Sequence, residues 1–444
     1  MATKPVKYQL KSILGVAFGI AVGIGGTIGV GIFRTPGDIA ALLNNPWLII
    51  SCWVLGGIYV LLGVGSYAEL AAMLPKTGGA YNYVKRAFGD YAGFVTGWFD
   101  YIINAISPAY FCLVISEYLV MLFPLLKDFK LIISLTLLML FTLIHLRDIK
   151  TGSIIQQITS FTKVILFAIL IFSLFVFSGV KSHNFSNQDV SGSILKGGIL
   201  IAFLKSLQLV VGTYDGWMSA CFFAEEDKNP GRNIPRSLFF AALIVMFTYV
   251  SLNTAFLYVL PIQTMSKSPL VASDATRLIF GDTGANLVIV ISIISLISIL
   301  NVYMMIPARI LFGLSRDGFF IPKAATINKG GTPAIALLLS SLLSLVLIIV
   351  GSFDMLFSLG AFITLVVLGL TYTSLIKLRI KEPLLLRPYR SWGYPWTTYI
   401  MILITIGLFI GFGLADQKSL VFIVAFSLLS FPVFKLLTKL NKVS

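Results

Sequence analysis

Residues 23–37 read Gly23-Ile-Gly-Gly-Thr27-Ile-Gly29-Val30-Gly31-Ile-Phe-Arg34-Thr-Pro-Gly37. An apolar helix leads into this stretch from Ser12 and a short second one leads out to Leu43. Between them lie Gly23, Gly25, Gly26, Gly29 and Gly31. Each glycine costs roughly 1 kcal/mol in a helix relative to alanine, so the cluster can open the i→i−4 ladder. Inside a bilayer, freed backbone groups must be buried in protein or line a wet cavity. The stretch therefore reads either as a binding site or as a seam where small residues let helices pack closely. A second break elsewhere in the chain decides between them.

The frame is a membrane one. Of 444 residues, 57% are hydrophobic and 11% are charged, against roughly 25% charged in a soluble domain. Apolar windows long enough to cross a bilayer recur along the chain, without the alternation of a β-barrel. Twelve spans are expected, at 12–43, 47–73, 91–124, 131–146, 154–179, 194–226, 236–261, 284–315, 332–351, 354–379, 395–414 and 418–439. Lys4, Lys7 and Lys11 precede a first segment too long for a cleavable signal. Of the 33 Lys and Arg, about 23 fall in termini and loops on the N-terminal side and about 7 on the other. Both termini are therefore expected in the cytoplasm. The net charge of +15 follows from that bias and implies no nucleic-acid partner. Cys52, Cys112 and Cys221 lie in apolar spans, and His145 and His183 are far apart, so neither metal nor any other cofactor is expected. No nucleophile–base constellation points to an enzyme, and no phosphate-binding loop to an ATP-driven pump.

The second break lies in the sixth span, at Gly212-Thr213-Tyr214-Asp215-Gly216-Trp217. It stands five spans after the first, and an odd offset gives the two units opposite topology. Paired, interrupted segments in corresponding positions point to a secondary-transporter site at the midplane. A half-helix starting after Gly29 offers N–H groups and a positive dipole end to a carboxylate. Half-helices ending near Thr27 and Gly212 offer free carbonyls to an ammonium group. A site with both suits a zwitterion, and an α-amino acid is the common one.

These residues carry a family resemblance. Gly26-Thr-Ile-Gly-Val-Gly-Ile-Phe33, Pro75-Lys-Thr-Gly-Gly-Ala-Tyr-Asn-Tyr83 and Tyr214-Asp-Gly-Trp217 resemble signatures of the amino acid–polyamine–organocation superfamily. So do Glu225-Glu226, Asn229-Pro-Gly-Arg-Asn-Ile-Pro235, Arg309, Ser315-Arg-Asp-Gly318, Arg387-Pro-Tyr-Arg390 and Gly393-Tyr-Pro395. The nearest group is the L-type amino acid transporters and their bacterial relatives. The resemblance implies an all-α, LeuT-like fold of 12 transmembrane helices with helices 1 and 6 discontinuous. Its two inverted five-helix repeats would be 12–179 and 194–379, followed by two further helices in 395–439. It implies alternating access by rocking of helices 1, 2, 6 and 7 against a scaffold. By position, the substrate would meet Thr27, Ile28, Gly29, Val30 and Gly31 on one break and Gly212, Thr213, Tyr214, Asp215 and Gly216 on the other. Two departures stand out: Val30 replaces a frequent serine, and Gly212 a frequent aromatic gate.

Lys163 sits alone in the middle of the fifth span, in Ser160-Phe-Thr-Lys163-Val, where an ionisable residue is a functional candidate. The resemblance places it where sodium-coupled members of the fold hold sodium, with a helix-8 hydroxyl, Ser298, as partner. That implies sodium-independent transport. Asp215 is expected to cap the second half of helix 6, and Arg34 to pair with Asp38 one turn on. Asp100 and Asn104 share a face of helix 3 and are candidates for the cavity wall. Glu225 to Arg236 read as a solvated loop, and Asn184-Phe-Ser186 fits a glycosylation triplet. Lys127 to Lys130 contains no cysteine of the kind that bonds a heavy subunit in vertebrate relatives, so no disulfide-linked partner is expected. The expected function is sodium-independent exchange of neutral L-amino acids in a bacterial inner membrane. The alternatives are a proton-coupled symporter and an antiporter of cationic amino acids or polyamines.

Overall fold

A backbone in hydrocarbon has no water to bond, so apolar runs of this length close their hydrogen bonds within helices. The computed structural model describes residues 10–29, 31–179, 183–185, 198–350, 353–415 and 417–443. The first half of the chain carries α1 (Val16–Thr27), α2 (Gly31–Leu43), α3 (Pro46–Met73), α4 (Ala80–Phe88), α5 (Asp90–Leu122), α6 (Lys130–Arg147) and α7 (Ile149–Val176). The second half carries α8 (Gly198–Thr213), α9 (Pro230–Val259), α10 (Ile262–Met265), α11 (Val271–Arg316), α12 (Ala334–Val350), α13 (Phe353–Lys381), α14 (Trp396–Ala415) and α15 (Gln417–Val443). Local chemistry sets several ends. The Asn45 side chain accepts from the N–H groups of Trp47 and Leu48 and caps α3, with Pro46 at its first position. Asp148 caps α7 through the N–H of Thr151.

Among the described residues, ten helical segments are long and apolar enough to cross a membrane, and the pair α1–α2, bent by 45°, makes an eleventh. The protein is a multi-pass helical membrane protein. The ninth expected span corresponds to α12, which has 17 residues and falls just short of that length. The eighth was expected from residue 284. In the structure α11 begins at Val271 and turns at Gly281, whose φ of 62° interrupts the helix three residues before that point.

One end of the bundle is laced by ion pairs. Leu14 forms a parallel bridge to Asp227, its N–H donating to Glu226 O at 2.9 Å and its carbonyl accepting from the Lys228 N–H at 3.0 Å. Glu226 is fully buried and meets Arg309 at 3.0 and 3.3 Å. Glu225 meets Arg316 at 2.7 Å and accepts from the Thr77 N–H at 3.0 Å. The 225–236 segment is thus not a solvated loop throughout: its first acidic pair is drawn into the protein by two arginines of α11. Glu69, on α3, is also fully buried. It accepts from Arg379 at 2.6 and 2.9 Å, from the Ser391 N–H at 2.7 Å, and lies 3.1 Å from Arg387. Asn184 is committed elsewhere than expected. Its amide donates to Leu257 O and Leu260 O, both at 2.7 Å, leaving it ill placed for glycosylation; Ser186 lies outside the described residues.

Removing one partner of a buried ion pair strands the other charge and costs about 3–5 kcal/mol. Glu69→Gln leaves Arg379 and Arg387 facing a neutral amide, so it is expected to lower the thermal unfolding temperature in detergent sharply. Lys205→Gln, at an exposed position, should leave that temperature unchanged in the same scan.

Candidate functional site

The first break is short. α1 ends at Thr27, Ile28 is extended (φ −77°, ψ 100°), and α2 starts at Gly31. Val30 lies outside the described residues. The second break follows α8: Thr213 ends the helix, Tyr214–Gly216 turn, and residues Trp217–Glu226 form a tight 3-10 helix. Gly216 has φ 96°, a conformation that favours glycine. A Cβ there would collide with Gly26 O, and a Cβ on Gly26 would lie 3.2 Å from Gly216 O. The two breaks therefore touch backbone to backbone, through glycines on both sides. Side chains add to this contact. Thr213 Oγ1 lies 3.0 Å from Thr35 Oγ1 across to α2, and Ser219 Oγ donates to Gly216 O at 2.6 Å. Tyr214 donates to Trp53 O at 3.1 Å.

The carbonyls freed by the breaks have partners. The Tyr249 hydroxyl, from α9, lies 3.1 Å from Thr27 O and 3.3 Å from Thr213 O, so one side chain spans both helix ends. Gly212 O accepts from the Asp215 N–H at 3.3 Å. Lys163 is 1% exposed, and its Nζ donates to Ile28 O at 2.7 Å and to Gly25 O at 3.4 Å. Ser295 of α11 donates to the same Ile28 O at 2.9 Å. The α11 hydroxyl beside the lysine's acceptor is thus Ser295, in place of Ser298. Three residues further along the helix, Ser298 joins another cluster: it lies 3.2 Å from both Gln156 Nε2 and Ser160 Oγ, which also bond Ala21 O.

Two other expectations, the Asp215 cap and the Arg34–Asp38 pair, are corrected. The residue at the N-cap of the 3-10 segment is Gly216, with no side-chain cap bond, so Asp215 does not cap it. Arg34 and Asp38 form no ion pair within 4 Å. Gly212 is exposed, and a side chain at its position would meet nothing within 4 Å. Asp100 and Asn104 do share a wall with the second break. Together with Asp215, Gly216, Ser219 and Tyr303 they line a cavity of about 30 Å³, room for about one water molecule. Asn104 donates to the Asp100 carbonyl and to its Oδ1, while Asp100 Oδ2 is buried with no hydrogen-bond partner among the described residues.

The profile of the family described as "Amino acid permease" matches residues 11–431. The chain belongs to the amino acid permease family. Among similar proteins, the permease is 30% identical to the b(0,+)-type amino acid transporter 1 of Mus musculus, over 86% of this chain and 79% of the relative. It is 27% identical to the serine/threonine exchanger SteT of Bacillus subtilis (strain 168), over 96% of both. It is 28% identical to the large neutral amino acids transporter small subunit 2 of Mus musculus, over 86% of this chain and 73% of the relative. The permease is thus a member of the amino acid–polyamine–organocation superfamily related to L-type exchangers. It is an amino acid transport protein and not an enzyme.

Two residues that bond the carbonyls of the breaks, Tyr249 and Ser295, carry no signal in the sequence. Both lie in apolar helical stretches, where one tyrosine or serine among many carries no positional signal. Their roles emerge only when α9 and α11 are brought against the breaks.

Gly216→Ala tests the backbone contact. The left-handed conformation alone costs a non-glycine residue about 1–2 kcal/mol, and the added carbon meets Gly26 O. The variant is expected to lose at least roughly tenfold in substrate flux in proteoliposomes, the change that 1.4 kcal/mol gives. Gly212→Ala, which meets open space, should stay near native.

Proposed function

We propose that this permease is a sodium-independent exchanger of neutral L-amino acids, working by alternating access. The observation that carries the reading is the Lys163 ammonium seated on the carbonyls of Gly25 and Ile28, at the end of the first half-helix. A fixed cation there does what a bound sodium ion would do, neutralising the negative end of α1, so no ion need be recruited. The chain's similarity to named exchangers and amino acid transporters supports the transport class.

In this reading the fold has twelve spans. Residues 12–179 and 194–379 form inverted five-helix repeats, residues 395–439 add two helices, and both termini are cytoplasmic in a bacterial inner membrane. The substrate carboxylate meets the N–H groups of Val30 and Gly31. The α-ammonium meets the carbonyls of Thr27, Gly212 and Asp215. Ile28, Gly29, Thr213, Tyr214 and Gly216 shape the pocket. Because each carbonyl has two lone pairs, Thr27 O can take the ammonium beside the Tyr249 hydroxyl, or exchange one for the other. The cavity of about 30 Å³ is too small for an amino acid, so the breaks must part to admit one.

A second reading rests on a separate observation. Asp100 and Asp215 line one cavity with no cationic side chain among its lining residues. Two buried carboxylates at one site favour a bound positive charge, either a coupled proton or a cationic substrate side chain.

Counterflow in proteoliposomes separates these readings. Neutral exchange predicts uptake of labelled serine or leucine only into vesicles preloaded with amino acid, unchanged when sodium is replaced by choline. Uptake into empty vesicles driven by an inward proton gradient would overturn it in favour of symport. Exchange of arginine with no uptake of neutral amino acids would overturn it in favour of a cationic antiporter.

A further inference from the structure

A cleft of about 970 Å³ opens on the ion-paired end of the bundle, between the end of α3, the start of α9 and the loop before α14. Its volume is that of a ligand pocket. Arg232 and Arg236 are the charged residues on its wall, and no Asp or Glu lines it. Both arginines are exposed, and neither side chain makes an ion pair or hydrogen bond among the described residues. Standing four apart on one helix, they repel each other. The nearest acid in sequence, Asp227, is occupied by the Asn229 N–H and the Asn233 amide, each at 2.7 Å.

The same face of α9 then becomes apolar. Phe240, Leu243 and Phe247 follow Arg232 and Arg236 at helical spacing and are 48%, 36% and 73% exposed. Phe239, at 42%, and Trp392, at 48%, flank the cleft. At 1.5 Å per residue, Arg236 to Phe247 spans about 16 Å, one leaflet of a hydrocarbon core roughly 30 Å thick. The stripe therefore has the layout of an amphiphile: two guanidinium groups at the headgroup level and aromatic and aliphatic surface at acyl-chain depth. Interfacial arginines are enriched on one side of a membrane protein by the topology bias alone. An unneutralised pair at the mouth of a ligand-sized cleft, continuous with a lipid-facing stripe, asks for a bidentate anion on an apolar tail.

We propose that this cleft binds a phospholipid of net negative headgroup, its phosphate held between Arg232 and Arg236 and one acyl chain lying along Phe240, Leu243 and Phe247. The site is separate from the amino acid pocket and does not depend on the reading of that pocket.

The test uses the purified full chain with phosphatidylglycerol or phosphatidylcholine as probe. Native mass spectrometry should find phosphatidylglycerol retained in preference to phosphatidylcholine. Arg232→Gln with Arg236→Gln should cut that retention roughly thirtyfold, the scale expected for two basic groups near an anionic surface, while Arg→Lys at both sites, which keeps the charge and loses the planar fork, should cut it less. On the native chain, phosphatidylglycerol brominated in its acyl chain should quench Trp392 fluorescence, a component absent from Trp392→Phe and weakened by salt. Equal retention of the two lipids by the native chain, full retention by the double Gln variant, or quenching indifferent to Trp392 would each overturn the proposal. The quenching arm needs no arginine substitution, so a double variant that failed to fold would leave the test intact.

Discussion

The bond from Lys163 Nζ to Ile28 O, at 2.7 Å, is the interaction on which the rest of the site depends. α1 stops inside the protein, and its last carbonyls have no helical partners. Unsatisfied, each would cost a few kcal/mol in an apolar setting. Lys163 and Ser295 answer that demand at Ile28, and Tyr249 answers it at Thr27. A buried ammonium is equally costly without acceptors, and the broken helix supplies them. Neither the break nor the lysine would be stable in hydrocarbon without the other.

From that bond outward, the packing is specified at backbone level. With α1 held by α7 and α11 on one side, its glycine face is free to receive Gly216 on the other, and the two breaks close on each other with no side chain between them. The acidic wall of Asp100 and Asp215 stands at the edge of this contact. At the far end of α3 and α11 the buried pairs Glu69–Arg379 and Glu226–Arg309 tie distant helices together. In the proposed cycle those pairs are the contacts that rocking helices would have to carry with them or break.

Much of this was legible in the sequence because the membrane narrows the choices. Apolar length alone gives helices, and glycine clusters in apolar helices mark where the ladder opens. Lys163 stood out because nothing else charged lies near it in its span. The partners were not legible. The ion pairs of Glu69 leave no local trace, because its arginines lie more than 300 residues away in the chain. Ser295 and Ser298 are both serines on one helix face, and a rotation of α11 by less than a full turn decides which reaches Ile28. The expected Asp215 cap failed for a local reason. The chain after the break winds as a 3-10 helix and starts from Gly216 in a left-handed conformation, so the residue before it cannot occupy the cap position. The solvated reading of Glu225 and Glu226 failed because a charge pattern alone cannot show that two arginines of α11 are waiting beneath it.

The most direct measurement is amino acid flux through Lys163→Ala in preloaded proteoliposomes, beside a check that the variant is folded and monodisperse. Severely reduced exchange from a folded protein is expected, since the ends of the broken helix lose their fixed cation. Flux and substrate affinity equal to those of the native chain would contradict it.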